Sequence, residues 1–290
     1  MKKLISISLA IIMLASMLLT LISCADNTGK KFVSVDASDL LKEDFGIAVK
    51  KGDTETLAAV NAVVDKWVKD GTMSLYLDYY EALAKGETPD AKGLKTSWDF
   101  GDATETLTVY TESGFAPFEF VYEGKIVGVD IAIMSEVAAN NNMKLEVKDV
   151  LFDTIPLSVK NSSTPAVGAA GLTINDERKE MVDFSNIYFS STLVIVSAED
   201  KAISSVKDLS GLKVGVQEGT SGDLIISAAA TSDGYTYEGD DGDVVIKVNS
   251  STKVTQYKQY SLALADLKAG RIDAILMDKL PAQTMLAVTD

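Results

Sequence analysis

Two kinds of hydrophobic spacing follow one another in the first third of the chain. Apolar residues alternate over 32–35 and again over 44–49, which predicts two short strands. After Asp53 or Thr54 the spacing changes to every third or fourth position, which predicts an amphipathic helix with one of these two residues as its cap. The apolar positions of this helix are Leu57, Val60, Val63, Val64, Trp67 and Val68. A second short helix is predicted over 75–83.

From residue 104 onward, predicted strands alternate with predicted helices, whereas 84–103 has little periodicity and is interpreted as a linker. The predicted strands are 107–110, a hairpin over 118–129, 144–150, 167–172, 192–196, 213–217, 244–248 and 272–277. The predicted helices are 130–139 with Asp130 as its cap, a turn at 175–178, one that follows 219–222, and 261–269. Strands separated by helices predict an α/β fold with parallel sheets.

The first residues read as a targeting segment. Lys2 and Lys3 precede an uninterrupted uncharged, mostly apolar run over 4–22, and the run ends in Leu-Ile-Ser before Cys24, a bacterial lipobox pattern. We expect residues 1–23 to be a lipoprotein signal peptide, with lipid carried on Cys24. The alternative is an uncleaved membrane anchor, because the run approaches the ~20 residues that span a bilayer.

Composition excludes several function classes. The net charge of −15 argues against nucleic acid as a partner, because phosphates require clustered Lys and Arg. The absence of histidine weakens any reading that depends on a histidine base. With Cys24 as the single cysteine, no disulfide can form within one molecule. No cofactor or metal site is predicted.

Arg178 is the strongest candidate for ligand chemistry. It lies in the first turn of the helix that opens at Asn175 or Asp176, just after the strand that ends near Thr173. Ligands of open α/β sheets bind at the carboxyl ends of strands, and a guanidinium there can hold a carboxylate through two hydrogen bonds. The alternative is a surface arginine that pairs with a neighbouring acid.

Two further turns could serve the same ligand. Residues 219–222 form a Gly-Thr-Ser-Gly turn that leads into a helix and offers N–H and hydroxyl donors. Asp278 ends an apolar strand and could accept from an ammonium group, or it could simply cap the following helix. Phe115, Phe118 and Phe152 follow strands and could line a cleft, although each alone is more typical of a core.

Together these pieces resemble the amino-acid-binding proteins of bacterial ATP-driven importers, the extracellular solute-binding family 3. The matching stretches are TESGFAPFEF, GKIVGVDIAIMSEVA, GLTINDERKEMVDFSNIY, KDLSGLKVGVQEGTSGD and LKAGRIDAILMD. The resemblance implies a type II periplasmic-binding-protein-like fold, in which two α/β lobes joined by two hinge strands close around an amino acid.

The resemblance also implies site residues by their matching positions. Arg178 would bind the ligand carboxylate and Asp278 its ammonium group, with donors from Gly171, Thr173 and Ser221. The side-chain pocket would be formed by Phe115, Phe152, Glu112 and Gln217. Residues 161–166 depart from the family's usual turn, so this loop is not assigned.

The order of the segments predicts a circular permutation. FGIAVKKGD, which resembles the closing element of the family's first lobe, stands near the start of this chain. We expect the organisation to be tether 24–31, permuted element of lobe 1 at 32–83, linker 84–103, lobe 1 at 104–192, lobe 2 at 193–277 with hinge strands at its ends, and a return to lobe 1 at 278–290. The alternative is a swapped dimer, in which the front element completes a neighbouring molecule.

The resulting hypothesis is a lipid-anchored binding protein outside the cytoplasmic membrane or in the periplasm. It would capture a polar or basic L-amino acid and deliver it to the permease of an ABC importer, without catalysis. Two alternatives remain on the same fold: an enzyme similar to cyclohexadienyl dehydratases, and a ligand-sensing module.

Overall fold

The computed structural model describes residues 30–37, 40, 42–163, 165–239 and 242–288. The predicted signal segment and Cys24 lie outside the described residues. The strands are β1 Phe32–Asp36, β2 Glu43–Phe45, β3 Ala48–Lys50, β4 Glu105–Thr111, β5 Gly114–Phe115, β6 Glu119–Tyr122, β7 Lys125–Val127, β8 Met143–Asp149, β9 Ala166–Gly168, β10 Val182–Phe184, β11 Phe189–Ser191, β12 Leu193–Ala198, β13 Lys213–Gln217, β14 Tyr235–Gly239, β15 Gly242–Ile246, β16 Lys253–Tyr257 and β17 Ala274–Asp278. The α-helices are α1 Thr54–Asp70, α2 Thr72–Ala84, α3 Val129–Asn140, α4 Ile155–Asn161, α5 Asp176–Lys179, α6 Ser221–Ala229, α7 Tyr260–Lys268 and α8 Lys279–Ala287.

Two five-stranded sheets form the centres of the two lobes of this type II binding-protein fold. The first has the order β10-β3-β9-β4-β8, and the second has the order β1-β12-β17-β13-β16. Helices α3 and α4 pack with the first sheet, α1 packs against α3, and α6, α7 and α8 pack with the second sheet. The carboxyl ends of several strands from both sheets meet near Asp278, and this is where the candidate site lies.

The sheets are mixed, so the prediction of parallel sheets is only partly right. Strand β4 is parallel to β8 and β9, and β13 is parallel to β16 and β17. Strands β3, β10, β1 and β12 pair antiparallel. The parallel neighbours are joined through crossover helices such as α3, whereas the antiparallel pairs in which β1 and β3 take part link segments more than 100 residues apart, so no crossover constrains their direction.

Helix α1 follows the predicted periodicity with one exception. Its cap is Asp53, whose Oδ1 accepts from the N–H of Thr56 at 3.0 Å. Of its six predicted core positions, Leu57 is partly buried against the core and four are fully buried: Val60, Val63, Val64 and Trp67. Val68 is 50% exposed, because it lies about 100° further around the helix than buried Trp67.

The start of helix α3 differs from the prediction that Asp130 is its cap. Gly128 occupies the cap position, with φ of 136°. A Cβ at Gly128 would lie 2.0 Å from the carbonyl oxygen of Phe118, so only glycine fits here. Asp130 is the second residue of the helix and is fully buried, which gives it a different role, described below.

The front segment is divided between the two sheets. Strands β2 and β3 pair with β11, β9 and β10 on the first-lobe side, but β1 pairs with β12 at the edge of the second sheet. Residues 32–36 therefore depart from the expected placement of all of 32–83 on lobe 1, because β12 offers a free edge beside β17. Helix α8 packs against β1, so residues near the two ends of the described chain are neighbours.

The stretch from 85 to 104 contains no helix or strand and packs against lobe 1. The indole N–H of Trp98 donates to Glu136 at 2.8 Å, and the hydroxyl of Tyr76 donates to the carbonyl oxygen of Lys95 at 2.7 Å.

Among the helices of the described residues, none is both long and apolar enough for a membrane span.

Candidate functional site

Arg178 is buried at the junction of the two lobes. The N–H of Arg178 donates to Asn175 Oδ1 at 2.8 Å, so Asn175 caps the short helix and fixes the direction of the arginine. One guanidinium nitrogen donates to the carbonyl oxygen of Thr173 at 2.7 Å, and the other donates to the carbonyl oxygen of Gly219, in the second lobe, at 2.9 Å. The interpretation of Arg178 as an ordinary surface arginine is therefore wrong.

The charge of Arg178 is not neutralised by an ion pair. Its side chain is only 6% exposed, yet no carboxylate among the described residues forms a salt bridge with it. Burial lowers the pKa of Arg178 to about 10, partly offset by the more distant charges of Glu43, Glu177 and Asp278. A buried guanidinium of this kind is suited to an anion that enters the site.

The ring of Phe152 packs against the guanidinium of Arg178. The guanidinium carbon of Arg178 lies 5.2 Å from the centroid of the Phe152 ring, within the range of a cation–π contact. The resemblance implies that Phe152 contacts the ligand side chain; in this structure its ring face is taken by Arg178. We conclude that Phe152 holds the guanidinium in position.

Asp278 ends β17 inside the same junction and is 6% exposed. Its side chain makes no cap bond with helix α8, so the alternative of a simple helix cap is not supported. The side chain of Ser191 interacts with this carboxyl, and Oδ1 of Asp278 has no hydrogen-bond donor among the described residues. Burial raises the pKa of Asp278 well above its usual value. The site therefore holds an acceptor oxygen that lacks a donor.

Glu112 is a second acid of the site and is held by the second lobe. Gln217 donates to one carboxylate oxygen at 3.0 Å, and Gln259 donates to the other at 2.8 Å. Glu112 is 2% exposed, and burial raises its pKa even though the two amides lower it. The predicted residues Glu112 and Gln217 are thus in direct contact across the two lobes.

An aromatic wall lies beside Glu112. The ring of Phe115 stacks with that of Phe118 at a centroid distance of 5.8 Å and with that of Tyr260 at 6.3 Å. Phe115 and Tyr260 come from different lobes and are both buried. Such faces can pack against the apolar stem of a ligand side chain.

The three predicted donors have different roles. The hydroxyl of Thr173 donates to Glu43 at 3.4 Å, and the side chain of Ser221 interacts with the same carboxyl. The N–H of Gly171 is not free for a ligand as predicted, because it donates to Asp130 Oδ2 at 3.0 Å. Gly171 instead forms the turn, with φ of +54° and the ring of Phe115 too close to admit a Cβ.

A buried acid pair lies beneath this turn. Asp130 Oδ2 accepts from Gly171 and from the hydroxyl of Tyr188 at 2.9 Å, but its Oδ1 and both oxygens of Glu119 have no hydrogen-bond donor among the described residues. Burial raises the pKa of Asp130 to about 7, and burial together with Asp130 raises the pKa of Glu119 well above its usual value. The pair therefore holds a proton at pH values where the unfolded chain has lost it.

This pair predicts a pH-dependent stability that Glu119→Gln changes. Because the folded-state pKa values are raised, the folded protein binds more protons than the unfolded chain above about pH 4, and stability from this pair falls as pH rises toward and through 7. The loss is about 1.4 kcal/mol for each pH unit over which one extra proton is retained. We expect Glu119→Gln, whose amide is neutral, to remove part of this loss. Urea unfolding at pH 5, 6, 7 and 8 measures it.

The control for this comparison is Glu87→Gln, at an exposed position with only a backbone bond to α2. The free energy of unfolding of Glu87→Gln should follow the wild type at each pH. Parallel curves for wild type and Glu119→Gln would show that Glu119 carries no extra proton in the folded protein.

Sequence reasoning missed three residues that line this site: Glu43, Gln259 and Tyr260. Gln259 and Tyr260 stand at the start of helix α7, where a Gln-Tyr pair gives no distinctive signal. Glu43 stands two residues before the FGIAVKKGD motif, and it reaches the site through the pairing of β2 with β11, which no local pattern indicates.

The known proteins that we report as similar to this chain are amino-acid-binding proteins. A family model described as bacterial extracellular solute-binding proteins, family 3, matches residues 107–276, more than half of the chain. The arginine-binding extracellular protein ArtP of Bacillus subtilis is 36% identical over 114 residues, which cover 39% of this chain and 44% of that protein. A probable histidine-binding protein of Neisseria gonorrhoeae is 30% identical over 172 residues, covering 59% of this chain and 58% of that protein.

Solved structures show the same likeness. An ancestral arginine-binding protein bound to arginine superposes with a TM-score of 0.54 and 34% identity, covering 63% of this chain and 74% of that one. The chain thus spans between 44% and 58% of the length of the two curated relatives named above. Strands β1 to β3 and helices α1 and α2 precede the region that the family model matches.

Proposed function

Because the chain belongs to the bacterial extracellular solute-binding proteins of family 3, we propose that it binds a free α-amino acid between its two lobes. Arg178 receives the carboxylate of the ligand, and Asp278 receives its ammonium group. The observation that carries this proposal is the buried guanidinium of Arg178, which has no ion-pair partner among the described residues and lies close enough to Asp278 for the two charges to interact.

The proposed side-chain preference is for a polar or basic amino acid. Glu112 places a buried carboxylate beside the aromatic faces of Phe115 and Tyr260, an environment that suits a guanidinium or ammonium group on an apolar stem. The printed names of relatives include arginine-binding and histidine-binding proteins, which supports the same preference. Gln217 and Gln259 complete this subsite by orienting the carboxylate of Glu112.

The proposed mechanism is closure of the lobes on the ligand followed by delivery to the permease of an ABC importer. Strands β12 and β17 pair antiparallel, with Leu193 opposite Asp278, and they are the proposed hinge. Closure brings Gly219 and Gln217 of the second lobe onto Arg178 and Glu112 of the first, as in this structure. We propose that lipid on Cys24 holds the protein at the outer face of the membrane.

A screen of the twenty common amino acids by thermal shift tests the proposed function. A ligand that binds only the native state raises the melting temperature, by an amount that grows with its concentration relative to Kd. We expect the largest shifts from basic and polar amino acids. No shift with any amino acid would contradict the proposal. Mass spectrometry after incubation distinguishes binding from turnover, since an enzyme would convert the ligand.

We also propose that the front segment completes its own molecule, as a circular permutation requires. The pairing of β2 and β3 with β11, β9 and β10 supports this, as does the packing of α8 against β1. We expect size-exclusion chromatography to give a monomer at every concentration of a dilution series. A dimer that dissociates on dilution would instead indicate exchange of the front segment between two molecules.

A further inference from the structure

The backbone pairing of the front segment brings a third acid to the ligand site. Glu43 opens β2, and in the antiparallel pair with β11 it stands opposite Ser191. Two residues further along, Leu193 of β12 stands opposite Asp278 of β17. The register therefore places two carboxyl groups, one from each end of the described chain, side by side in the junction of the lobes.

Glu43 and Asp278 are both buried. Glu43 is 3% exposed and Asp278 is 6% exposed. The Glu43 carboxyl accepts from the hydroxyl of Thr173 at 3.4 Å, and it interacts with the side chains of Ser221 and Asp278. Two carboxyl groups that interact in a buried site are seldom both ionised, because burial and their mutual repulsion each favour a proton on one of them.

No positively charged side chain among the described residues forms a salt bridge with Glu43 or Asp278. The cation nearest to this pair is the guanidinium of Arg178 on α5, which acts on Glu43 through its charge but is not in salt-bridge contact. The phenols of Tyr260 on α7 and Tyr235 on β14 also face the pair, and the pKa of each is raised, so both are neutral near pH 7. Among the described residues, Asp278 Oδ1 has no other donor.

We propose that Glu43 is a further residue of the amino-acid site, and that Glu43 and Asp278 hold one proton between them and so present a single negative charge to the ligand. This inference rests on the proposed function for its ligand. Burial raises the pKa of Glu43 and the pKa of Asp278, which agrees with a proton held between the two carboxyl groups.

A shared proton gives the site a charge that matches an α-amino acid. With one proton on the pair, the guanidinium of Arg178 and the pair carry opposite single charges, which balance the carboxylate and ammonium groups of the ligand. With both acids ionised, an extra buried negative charge would stand near the ligand carboxylate and weaken binding. Glu43 thus keeps Thr173 and Ser221 in position without adding that charge.

The test uses Glu43→Gln and Glu43→Leu in the full chain, with Glu55→Gln as the matched control. Glu55 is exposed in the first turn of α1, on the same front segment. The amide of glutamine imitates a protonated carboxyl, so we expect the Kd of Glu43→Gln for L-arginine at pH 7 to stay within about threefold of the wild-type value. Leucine leaves the hydroxyls and Asp278 without their partner, so we expect a loss of at least about tenfold.

Infrared spectroscopy reads the proton directly. At pH 7 the wild type should show, in addition to the protonated-carboxyl band of the Glu119–Asp130 pair, a second protonated-carboxyl band that Glu43→Gln lacks and Glu55→Gln retains. An unchanged second band in Glu43→Gln, or a loss of affinity in this variant as large as in Glu43→Leu, would overturn the inference. If the wild type binds no amino acid but the second band still disappears in Glu43→Gln, the proposed function fails while the proton pair stands. Should Glu43→Leu not fold, Glu43→Gln and its spectrum decide the question.

Discussion

Arg178→Ala is expected to weaken binding of the amino acid by about 30-fold to several-thousand-fold. Truncating one partner of a buried, hydrogen-bonded charge pair typically costs about 2–5 kcal/mol, and each ~1.4 kcal/mol is tenfold in Kd. We expect the loss of affinity to lie near the upper end of this range, because the guanidinium of Arg178 lies at the centre of the site and also donates to Gly219 of the second lobe. Isothermal titration calorimetry with the ligand chosen by the thermal-shift screen measures the change.

Lys179→Ala is the matched control for this variant. Lys179 is the next residue of the same short helix, also carries a positive charge, and is exposed with only a surface partner, Asp176. Its Kd should equal the wild-type value within error. Equal and large losses in both variants would point to damage of the helix, and retained affinity in Arg178→Ala would remove the carboxylate role from Arg178.

Glu112→Gln is expected to change which amino acid binds best. The substitution keeps the size but removes the buried charge and replaces one of the two acceptor oxygens with an NH2 donor. A hydrogen bond to a charged group contributes about 1.5–3 kcal/mol. Affinity for arginine should therefore fall by about 10- to 150-fold, while affinity for glutamine changes far less. The ratio of the two Kd values, measured by calorimetry on the same preparation, isolates the side-chain subsite from the head-group subsite.

Glu105→Gln provides the control on the same strand. Glu105 begins β4, seven residues before Glu112, and is exposed. This variant should leave the ratio of arginine to glutamine affinities unchanged. An equal loss for both ligands in Glu112→Gln would show that Glu112 acts by holding Gln217 and Gln259, and not by contacting a cationic side chain.

The parts of the site that could be predicted are those that depend on local geometry. A short helix opened by Asn175, directly after a strand, places Arg178 at a strand end whatever the rest of the chain does. The same holds for Asp278 at the end of an apolar strand. Periodicity and the rule that ligands bind at the carboxyl ends of strands made both residues candidates, and the resemblance to the solute-binding family implied their roles.

The parts that could not be predicted depend on contacts between distant segments. Glu43 reaches the site only because β2 pairs with β11, almost 150 residues later, and no local pattern specifies that register. The same is true of Phe152, whose ring supports Arg178, and of Gly171, whose N–H is taken by Asp130. The resemblance named Phe152 and Gly171 as site residues, but the contacts that each one makes depend on residues far along the chain.

Burial of acids was the least predictable property of this chain. Its net charge of −15 suggests a solvated acidic surface, yet Glu43, Glu112, Glu119 and Asp130 are each no more than 3% exposed. Glu119 and Asp130 stand at positions that could as well face water as the core in a strand and a helix start. The mixed direction of the sheets escaped prediction for a related reason, since β1 and β3 pair with strands far along the chain.

One calorimetric comparison tests the central proposal most directly. The wild type and Arg178→Ala are each titrated with the basic amino acid selected by the screen and with the amine that lacks its carboxylate. We predict that the amine binds the wild type at least about 30-fold more weakly than the amino acid, and that Arg178→Ala binds the two nearly alike. An amine that binds the wild type as tightly as the amino acid would show that Arg178 does not hold a ligand carboxylate.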